Sequence, residues 1–117
     1  NLLNKFNQNS VKTTFRYTIP DQMISDDLKL NIYRIIQEQE NNIMKYAEAK
    51  NVHISLEAKG NNIIIKVEDD GNGFDVNSKR NGIGISNIIN RAETFNGTAK
   101  IESSPGNGCK IHVSIPY

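Results

Sequence analysis

Two kinds of hydrophobic spacing alternate along the chain and divide it into strands and helices. Residues 11–19, VKTTFRYTI, predict a strand that ends at Pro20-Asp21. From Asp26 the spacing becomes helical, because apolar side chains recur at about 100° per residue on a helix that extends to about Ala49. The resulting stripe consists of Leu28, Ile32, Ile35, Ile36, Gln39, Ile43 and Ala47.

The rest of the chain predicts four more strands and a second helix. Residues 52–58 alternate apolar and polar, and a turn at residues 60–62 leads into a second alternating strand. Residues 85–95 have helical spacing and stop at Asn96-Gly97. Two last strands flank a glycine turn, and Cys109, Ile111, Val113 and Ile115 face inward on the final one. The pattern predicts an α+β fold of two layers, a mostly antiparallel mixed sheet with helices on one face.

The stretch EDDGNGFD, which follows the strand IIIKV, places carboxylates on both sides of the sheet. Side chains alternate along a strand, so Asp69 points the same way as Ile65 and Val67 if the strand persists to it. An unpaired carboxylate on that interior side is costly. The neighbouring Asp70 is expected to face outward.

Composition limits the classes of protein that fit. The chain has 117 residues, enough for one domain with a core. Its formal net charge of +1 does not indicate a nucleic-acid partner. A single cysteine and the lack of any apolar run near the ~18 residues of a membrane span fit a cytoplasmic domain. The chain opens with NLLNKF rather than methionine, so we expect an excised fragment.

Glycines cluster in the second half of the chain. Seven of the eight lie between Gly71 and Gly108, most of them in three loops, DGNG, NGIG and PGNG. Glycine lets backbone N–H groups approach a ligand closely, and Gly84 also opens a helix, whose N-terminus favours phosphate. All three can be ordinary turns, and for PGNG alone a hairpin turn is a full explanation. Together, beside an inward Asp69, they favour nucleotide binding.

The first helix adds oxygen ligands and a cation. Glu38 and Asn42 are four residues apart and share a face, with Lys45 one turn further on. A carboxylate and an amide oxygen can hold a hydrated Mg²⁺ or orient a proton acceptor, and a lysine can meet phosphate charge. Alone, the same residues are an ordinary solvated helix face.

Four blocks in this order resemble the ATP-binding catalytic domain of bacterial two-component sensor histidine kinases. That domain lies in the wider GHKL superfamily with the gyrase and Hsp90 ATPases. RIIQEQENNIMKYA (34–47) resembles the N box, VEDDGNGFD (67–75) the G1 box, NGIGISNIINRAETFNG (81–97) the G2 box, and SSPGNGCKIHVSIP (103–116) the closing glycine hairpin. The resemblance implies a Bergerat-type ATP-binding fold. A glutamate at position 38 is similar to the nitrate-sensor and lipid-thermosensor branch.

The resemblance also implies roles for individual residues. Asp69 accepts a hydrogen bond from the adenine amino group, and Gly71 and Gly73 let the backbone close over the purine. Asn42 and Glu38 hold Mg²⁺, and Glu38 also acts in catalysis.

Further implied roles belong to the phosphate end of the site. Lys45, also catalytic, and Tyr46 lie near the phosphates and the nucleotide edge. The remaining nucleotide-binding positions are Lys79, Arg80, Gly82, Ile83, Gly84 and Cys109. Cys109 departs from the family, which commonly carries threonine after the last glycine pair, and a thiol is a poor hydrogen-bond donor.

The implied function is to bind Mg-ATP and donate its γ-phosphate to a histidine on a separate dimerisation domain, from which a response regulator receives it. His53 and His112 occupy exposed strand positions, so this chain is not expected to autophosphorylate alone. The resemblance implies that residues 11–117 are the catalytic domain and residues 1–10 a linker from the absent dimerisation domain. We expect a monomeric domain of a homodimeric protein, and leave open whether that protein is anchored in a membrane. Three different functions fit the same residues: an anti-sigma serine kinase, a hydrolytic ATPase, and a non-catalytic nucleotide-sensing module.

Overall fold

Five strands and two helices make up the fold in the computed structural model, which describes residues 12–19, 24–44, 49–73 and 82–117. In chain order the elements are β1 (Lys12–Thr18), α1 (Asp26–Asn42), β2 (Asn51–Lys59), β3 (Asn62–Asp69), α2 (Gly82–Thr94), β4 (Thr98–Ser103) and β5 (Cys109–Pro116). Every predicted strand and both predicted helices are present. Among the described residues, no helix combines the length and the apolar character that a membrane crossing requires.

The strands form one mixed sheet in the order β1-β2-β3-β5-β4. β1 runs parallel to β2, and the other neighbouring pairs are antiparallel. The register places Asp69 opposite Val52 on one side and Cys109 on the other. The last residue of β3 therefore lies beside the first residue of β5. As a result, the glycine-containing loop after β3 and the glycine-containing turn before β5 lie next to each other.

The core lies between the sheet and the two helices. Alternate residues of β2, β3 and β5 are buried, and α1 contributes its aliphatic stripe. Ile35, Ile63, Ile88, Val113 and Ile115 have no exposed surface. Burying each side chain of this size is worth about 1.5–3 kcal/mol, so the core supplies most of the driving force for folding. The two-layer α+β prediction, with helices on one face, is confirmed.

Both ends of α1 have local causes. The Ser25 hydroxyl accepts a hydrogen bond from the backbone N–H of Leu28 at 3.2 Å and caps the helix N-terminus, where two aspartates complement the helix dipole. The regular helix ends at Asn42, and Ile43 and Met44 continue in a wider, π-type turn. Ala49 is not helical, and residues 45–48 lie outside the described residues, so the predicted helix end at about Ala49 stays a prediction.

The end of α2 is a Schellman motif. The N–H of Gly97 donates to the carbonyl of Ala92 at 2.8 Å, and the N–H of Asn96 donates to Glu93 at 2.9 Å. Asn96 has a φ of 63°, a left-handed conformation that asparagine tolerates better than most residues. The predicted stop at Asn96-Gly97 is confirmed.

We expect Asn96→Ala to lower the free energy of unfolding by about 1 kcal/mol, because alanine pays more for a left-handed backbone. Urea denaturation measures the change. Asn96→Gly is the matched control and should be at least as stable as the native chain, since glycine adopts this conformation freely. Equal losses in the two variants would show that the side chain of Asn96, rather than its backbone conformation, stabilises the helix end.

Candidate functional site

Asp69 ends β3 on the side of the sheet that faces the helices, as the alternation of the strand predicts. Its Oδ1 accepts a hydrogen bond from the N–H of Gly71 at 2.9 Å. Its Oδ2 is buried and has no hydrogen-bond partner in the described part of the chain. A buried carboxylate oxygen without a donor is unfavourable, so this atom is suited to a donor that arrives with a ligand.

The surroundings of Asp69 oppose its ionisation. Burial is the main cause that raises the pKa of Asp69, and the negative charge of Asp70 raises it further. The hydrogen bond from Gly71 acts in the opposite direction. Ionisation of Asp69 is therefore less favourable in the folded protein than ionisation of an exposed aspartate.

Asp70 has the opposite environment. It is exposed, and its Oδ1 accepts hydrogen bonds from the N–H groups of Lys50 and Asn51, both at 2.9 Å. The side-chain amide of Asn51 donates to its Oδ2 at 2.7 Å. The bonds with Asn51 are the main reason that the pKa of Asp70 is lowered. The hydrogen bonds of Asp70 thus hold the start of β2 in place. Asp69, in contrast, has a buried oxygen that is suited to a ligand.

The loop after β3 packs directly on the turn between β4 and β5. Gly73 has a φ of +64°, and a Cβ at this position would lie 2.2 Å from the carbonyl oxygen of Ser104. The N–H of Gly106 donates to the carbonyl of Asn72 at 2.6 Å. Gly108, at φ +70°, would bring a Cβ to 2.2 Å from the carbonyl oxygen of Asp69. These glycines allow the loop after β3 and the β4–β5 turn to come into backbone contact. That contact holds Asp69, which carries the buried carboxylate, in position.

A chain of hydrogen bonds connects α1 with β5. The Asn42 Nδ2 donates to the Oε1 of Gln39 at 3.3 Å, and the Gln39 Nε2 donates to the sulfur of Cys109 at 3.8 Å. Asn42 is half-buried, as is Glu38, four residues earlier. Glu38 and Asn42 lie on α1 as predicted, whereas Cys109 lies opposite Asp69. The helix and the end of β3 are therefore linked through residues of the core.

Cys109 is a buried, protonated thiol. Burial is the main cause that raises its pKa to about 11, and the charge of Asp69 adds to it, whereas hydrogen bonds with Gln39 and Ser103 act against the rise. The inward orientation of Cys109 agrees with strand parity. Its sulfur serves as an acceptor for Gln39 rather than as a donor toward a ligand.

Three buried polar residues of α1, Asn31, Gln39 and Glu40, were not recognised from the sequence. Gln39 is 2% exposed and was assigned only to the apolar stripe, and Glu40 is 1% exposed and was not singled out. The available signal for Gln39 was its chemistry, because a polar residue in an aliphatic stripe requires hydrogen-bond partners within the core.

Several predicted site residues have no described side chain. Lys45, Tyr46, Lys79 and Arg80 lie outside the described residues. Gly82, Ile83 and Gly84 form the first turn of α2, so the helix begins at Gly82 rather than at Gly84. Within the residues that the structure covers, no three or more histidine, cysteine, aspartate or glutamate side chains gather as metal ligands.

The face of the sheet away from the helices carries the two histidines. His53 and His112 are both exposed there, as predicted, and the ring of His53 shares a hydrogen bond with the hydroxyl of Thr14. A shallow depression on this face is lined by residues such as Lys12, His53 and Lys110. Asp69 and Val52 also line it, but most of its lining residues face away from α1, and we assign it no part in nucleotide binding.

The sheet order, the two helices on one face and the inward Asp69 define a two-layer α+β fold with a buried carboxylate at the end of a central strand. Residues 27–117 match the family described as histidine kinase-, DNA gyrase B- and HSP90-like ATPase. The match covers most of the chain, which therefore belongs to this ATPase family.

Solved structures with the same fold include histidine kinases. The histidine kinase domain of the Erythrobacter litoralis blue-light activated kinase EL346 has a TM-score of 0.82 at 15% identity, over 98% of this chain and 55% of that one. The Acinetobacter baumannii histidine kinase AdeS has a TM-score of 0.73 at 17% identity, over 98% of this chain and 58% of that one. The chain thus spans little more than half of these relatives. The likeness confirms the Bergerat-type fold.

Proposed function

We propose that this chain is the catalytic domain of a histidine kinase, which binds Mg-ATP between α1 and the glycine segments. The observation that carries the proposal is the buried Oδ2 of Asp69, which lacks a donor among the described residues. An adenine amino group would supply that donor, and the carboxylate would in turn distinguish adenine from a purine whose carbonyl occupies the same position. The family match and the kinase neighbours support this assignment.

Magnesium fits the oxygen groups of α1. Mg²⁺ usually retains several waters and takes only one or two protein ligands together with phosphate oxygens. The half-buried Asn42 and Glu38 offer an amide oxygen and a carboxylate one turn apart. Magnesium, when bound, would neutralise part of the triphosphate charge. We propose Asn42 as its principal protein ligand.

The residues of the chain would act mainly by positioning. Asp69 would fix the adenine end, and Asn42 would fix the triphosphate relative to it, so that the γ-phosphate is oriented toward an incoming nucleophile. Glu38 is placed on the same helix to accept a proton from, or orient, that nucleophile. The proposed roles of Lys45 and Tyr46, and those of Lys79 and Arg80, are contacts with the phosphates and the nucleotide edge.

The acceptor is proposed to be a histidine on a separate dimerisation domain. In the transfer the bond from the γ-phosphorus to the β–γ bridging oxygen breaks, a phosphorus–nitrogen bond forms, and ADP leaves. A response regulator would then receive the group. His53 and His112 lie on the open face of the sheet, away from α1, which supports an acceptor outside this domain. Glu38 favours the nitrate-sensor and lipid-thermosensor branch, which stays a prediction, as do the monomeric state and the linker at residues 1–10.

A second candidate is a nucleotide-sensing module without transfer activity. The observation that favours it is Cys109, whose sulfur is engaged by Gln39 where the family commonly has a threonine hydroxyl. A serine kinase or a hydrolytic ATPase would use the same nucleotide site and would differ from a histidine kinase in the acceptor, which is a serine hydroxyl in the first and water in the second.

We expect phosphate transfer in trans when the chain is mixed with the dimerisation domain encoded with it and γ-labelled ATP. The product should be acid-labile phosphohistidine on the dimerisation domain, and the chain alone should stay unlabelled. ATP binding without transfer would favour the sensing module. Release of inorganic phosphate at the same rate with and without the second domain would favour a hydrolytic ATPase, and acid-stable phosphoserine a serine kinase.

A further inference from the structure

Gln39 is an amide in an otherwise aliphatic stripe, and both of its polar atoms are used. It is 2% exposed, so each atom requires a partner inside the protein. Its Nε2 donates to the sulfur of Cys109, and its Oε1 accepts from the Nδ2 of Asn42 at 3.3 Å. Gln39 therefore joins the inner strand β5 to the part of α1 that faces the candidate site.

The hydrogen bond that Asn42 donates to Gln39 determines which atom of the Asn42 amide is available to a ligand. A side-chain amide presents either a carbonyl oxygen or an NH₂ group, and only the oxygen can bind a cation. Because the Nδ2 is engaged by Gln39, the Oδ1 is the end left for a ligand. The opposite orientation would place two carbonyl oxygens against each other.

Cys109 fixes the direction of the whole chain of bonds. Gln39 could in principle rotate its amide and accept from the thiol. That rotation would set the NH₂ group of Gln39 against the NH₂ group of Asn42, whereas the observed orientation pairs each donor with an acceptor. The sulfur then remains the acceptor, Gln39 the donor toward it, and its Oε1 the acceptor for Asn42.

We propose that Gln39 is a positioning residue, which holds the amide of Asn42 with its oxygen presented to magnesium. The proposal rests on the proposed function, since it assigns Asn42 to the metal of a bound nucleotide. Groups that orient a metal ligand typically change metal affinity by about 10–100-fold when they are removed. The effect of Gln39 is therefore expected in the magnesium-dependent part of nucleotide binding and not in the adenine-dependent part.

The test uses Gln39→Met, which removes both hydrogen-bonding atoms while nearly preserving length and volume. Gln37→Met is the matched control, because Gln37 lies on the same helix, is half-buried and has a side chain that makes no hydrogen bond with the described residues. Two quantities are measured in the whole chain. One is the NMR frequency of the Asn42 side-chain NH₂ without nucleotide, and the other is the ADP dissociation constant with and without Mg²⁺.

We expect Gln39→Met to shift the Asn42 signals and to reduce the tightening of ADP binding by Mg²⁺ by about tenfold. Magnesium-free binding should stay within about twofold of the native value, and Gln37→Met should change neither quantity. Unmoved Asn42 signals, or equal losses with and without Mg²⁺, would overturn the proposal and make Gln39 a purely structural residue. A native chain that binds no ADP would overturn the proposed function and the part of magnesium, while the Asn42 signals would still decide whether Gln39 orients that amide.

Discussion

Asp69→Asn is expected to abolish binding of an ATP analogue while the fold persists. The buried Oδ2 is an acceptor without a protein donor, and replacing it by NH₂ would set two donors against each other if adenine occupies the site. The lost charge-assisted bond and the new unpaired donor together predict a loss of at least about 100-fold in affinity. Isothermal titration calorimetry measures it. Affinity within about threefold of the native value would contradict the adenine assignment.

The same variant should unfold at a higher urea concentration at pH 7. A carboxylate whose pKa is raised in the folded state favours folding when it is protonated, and this contribution is lost as the pH rises through the folded-state pKa. Asparagine stays neutral, so it removes the cost of the buried charge and can still accept the Gly71 N–H. The stability gain should therefore disappear at a pH below the ordinary pKa of aspartate, where the native Asp69 is neutral too.

Asp70→Asn is the matched control for both measurements. The pKa of Asp70 is lowered, so its contribution to stability is present above the ordinary pKa of aspartate and is lost as the pH falls through the lower, folded-state value. Its substitution should reduce stability at pH 7 and leave analogue binding near the native value, because Asp70 faces away from the site. Two neighbouring aspartates are thus expected to give opposite results in each assay.

Gly108→Ala is expected to have the largest effect on folding. Its φ of +70° costs alanine about 1–2 kcal/mol, and the new Cβ would lie 2.2 Å from the carbonyl oxygen of Asp69. That oxygen belongs to backbone and cannot move without opening the β3–β5 pairing. We expect a loss of about 3 kcal/mol or more in the free energy of unfolding, together with weaker nucleotide binding, because Asp69 itself is displaced.

The control for this substitution is Gly106→Ala in the same turn. Gly106 also has a positive φ, of 83°, but a Cβ there would meet nothing within 4 Å. Its substitution should lower the free energy of unfolding only by the cost of a left-handed backbone for alanine, about 1–2 kcal/mol. Chemical denaturation compares the two. Similar losses at both positions would mean that the contact with Asp69 relaxes without cost.

The helices and strands, and the side of the sheet on which Asp69 lies, could be predicted from the sequence. Alternation along β3 and β5 required only a period of two, whereas the register that sets Asp69 opposite Cys109 came from the structure. The stop of α2 at Asn96 was equally local, since it depends on one residue that tolerates a left-handed backbone.

Contacts between distant segments were beyond that reasoning. Gln39 and Cys109 are 70 positions apart, and no pattern along the chain pairs an amide with a thiol. The role of Gly108 likewise depends on how closely β5 approaches the end of β3. The change from α-helical to π-type geometry after Asn42 had no signal in the sequence, because the apolar spacing continues through Ala47. Hydrophobic period reports which residues are buried, not where the backbone geometry changes.

The rate at which the buried Cys109 thiol is alkylated reports local opening of this domain. With a pKa of about 11, only roughly one Cys109 side chain in ten thousand is a thiolate at pH 7, and its surroundings exclude a reagent from the sulfur. Alkylation must therefore wait for the end of β5 to separate from α1. Since the sequence contains no other cysteine, the labelling rate measures how often that separation happens. A bound nucleotide that holds the two elements together would lower the labelling rate.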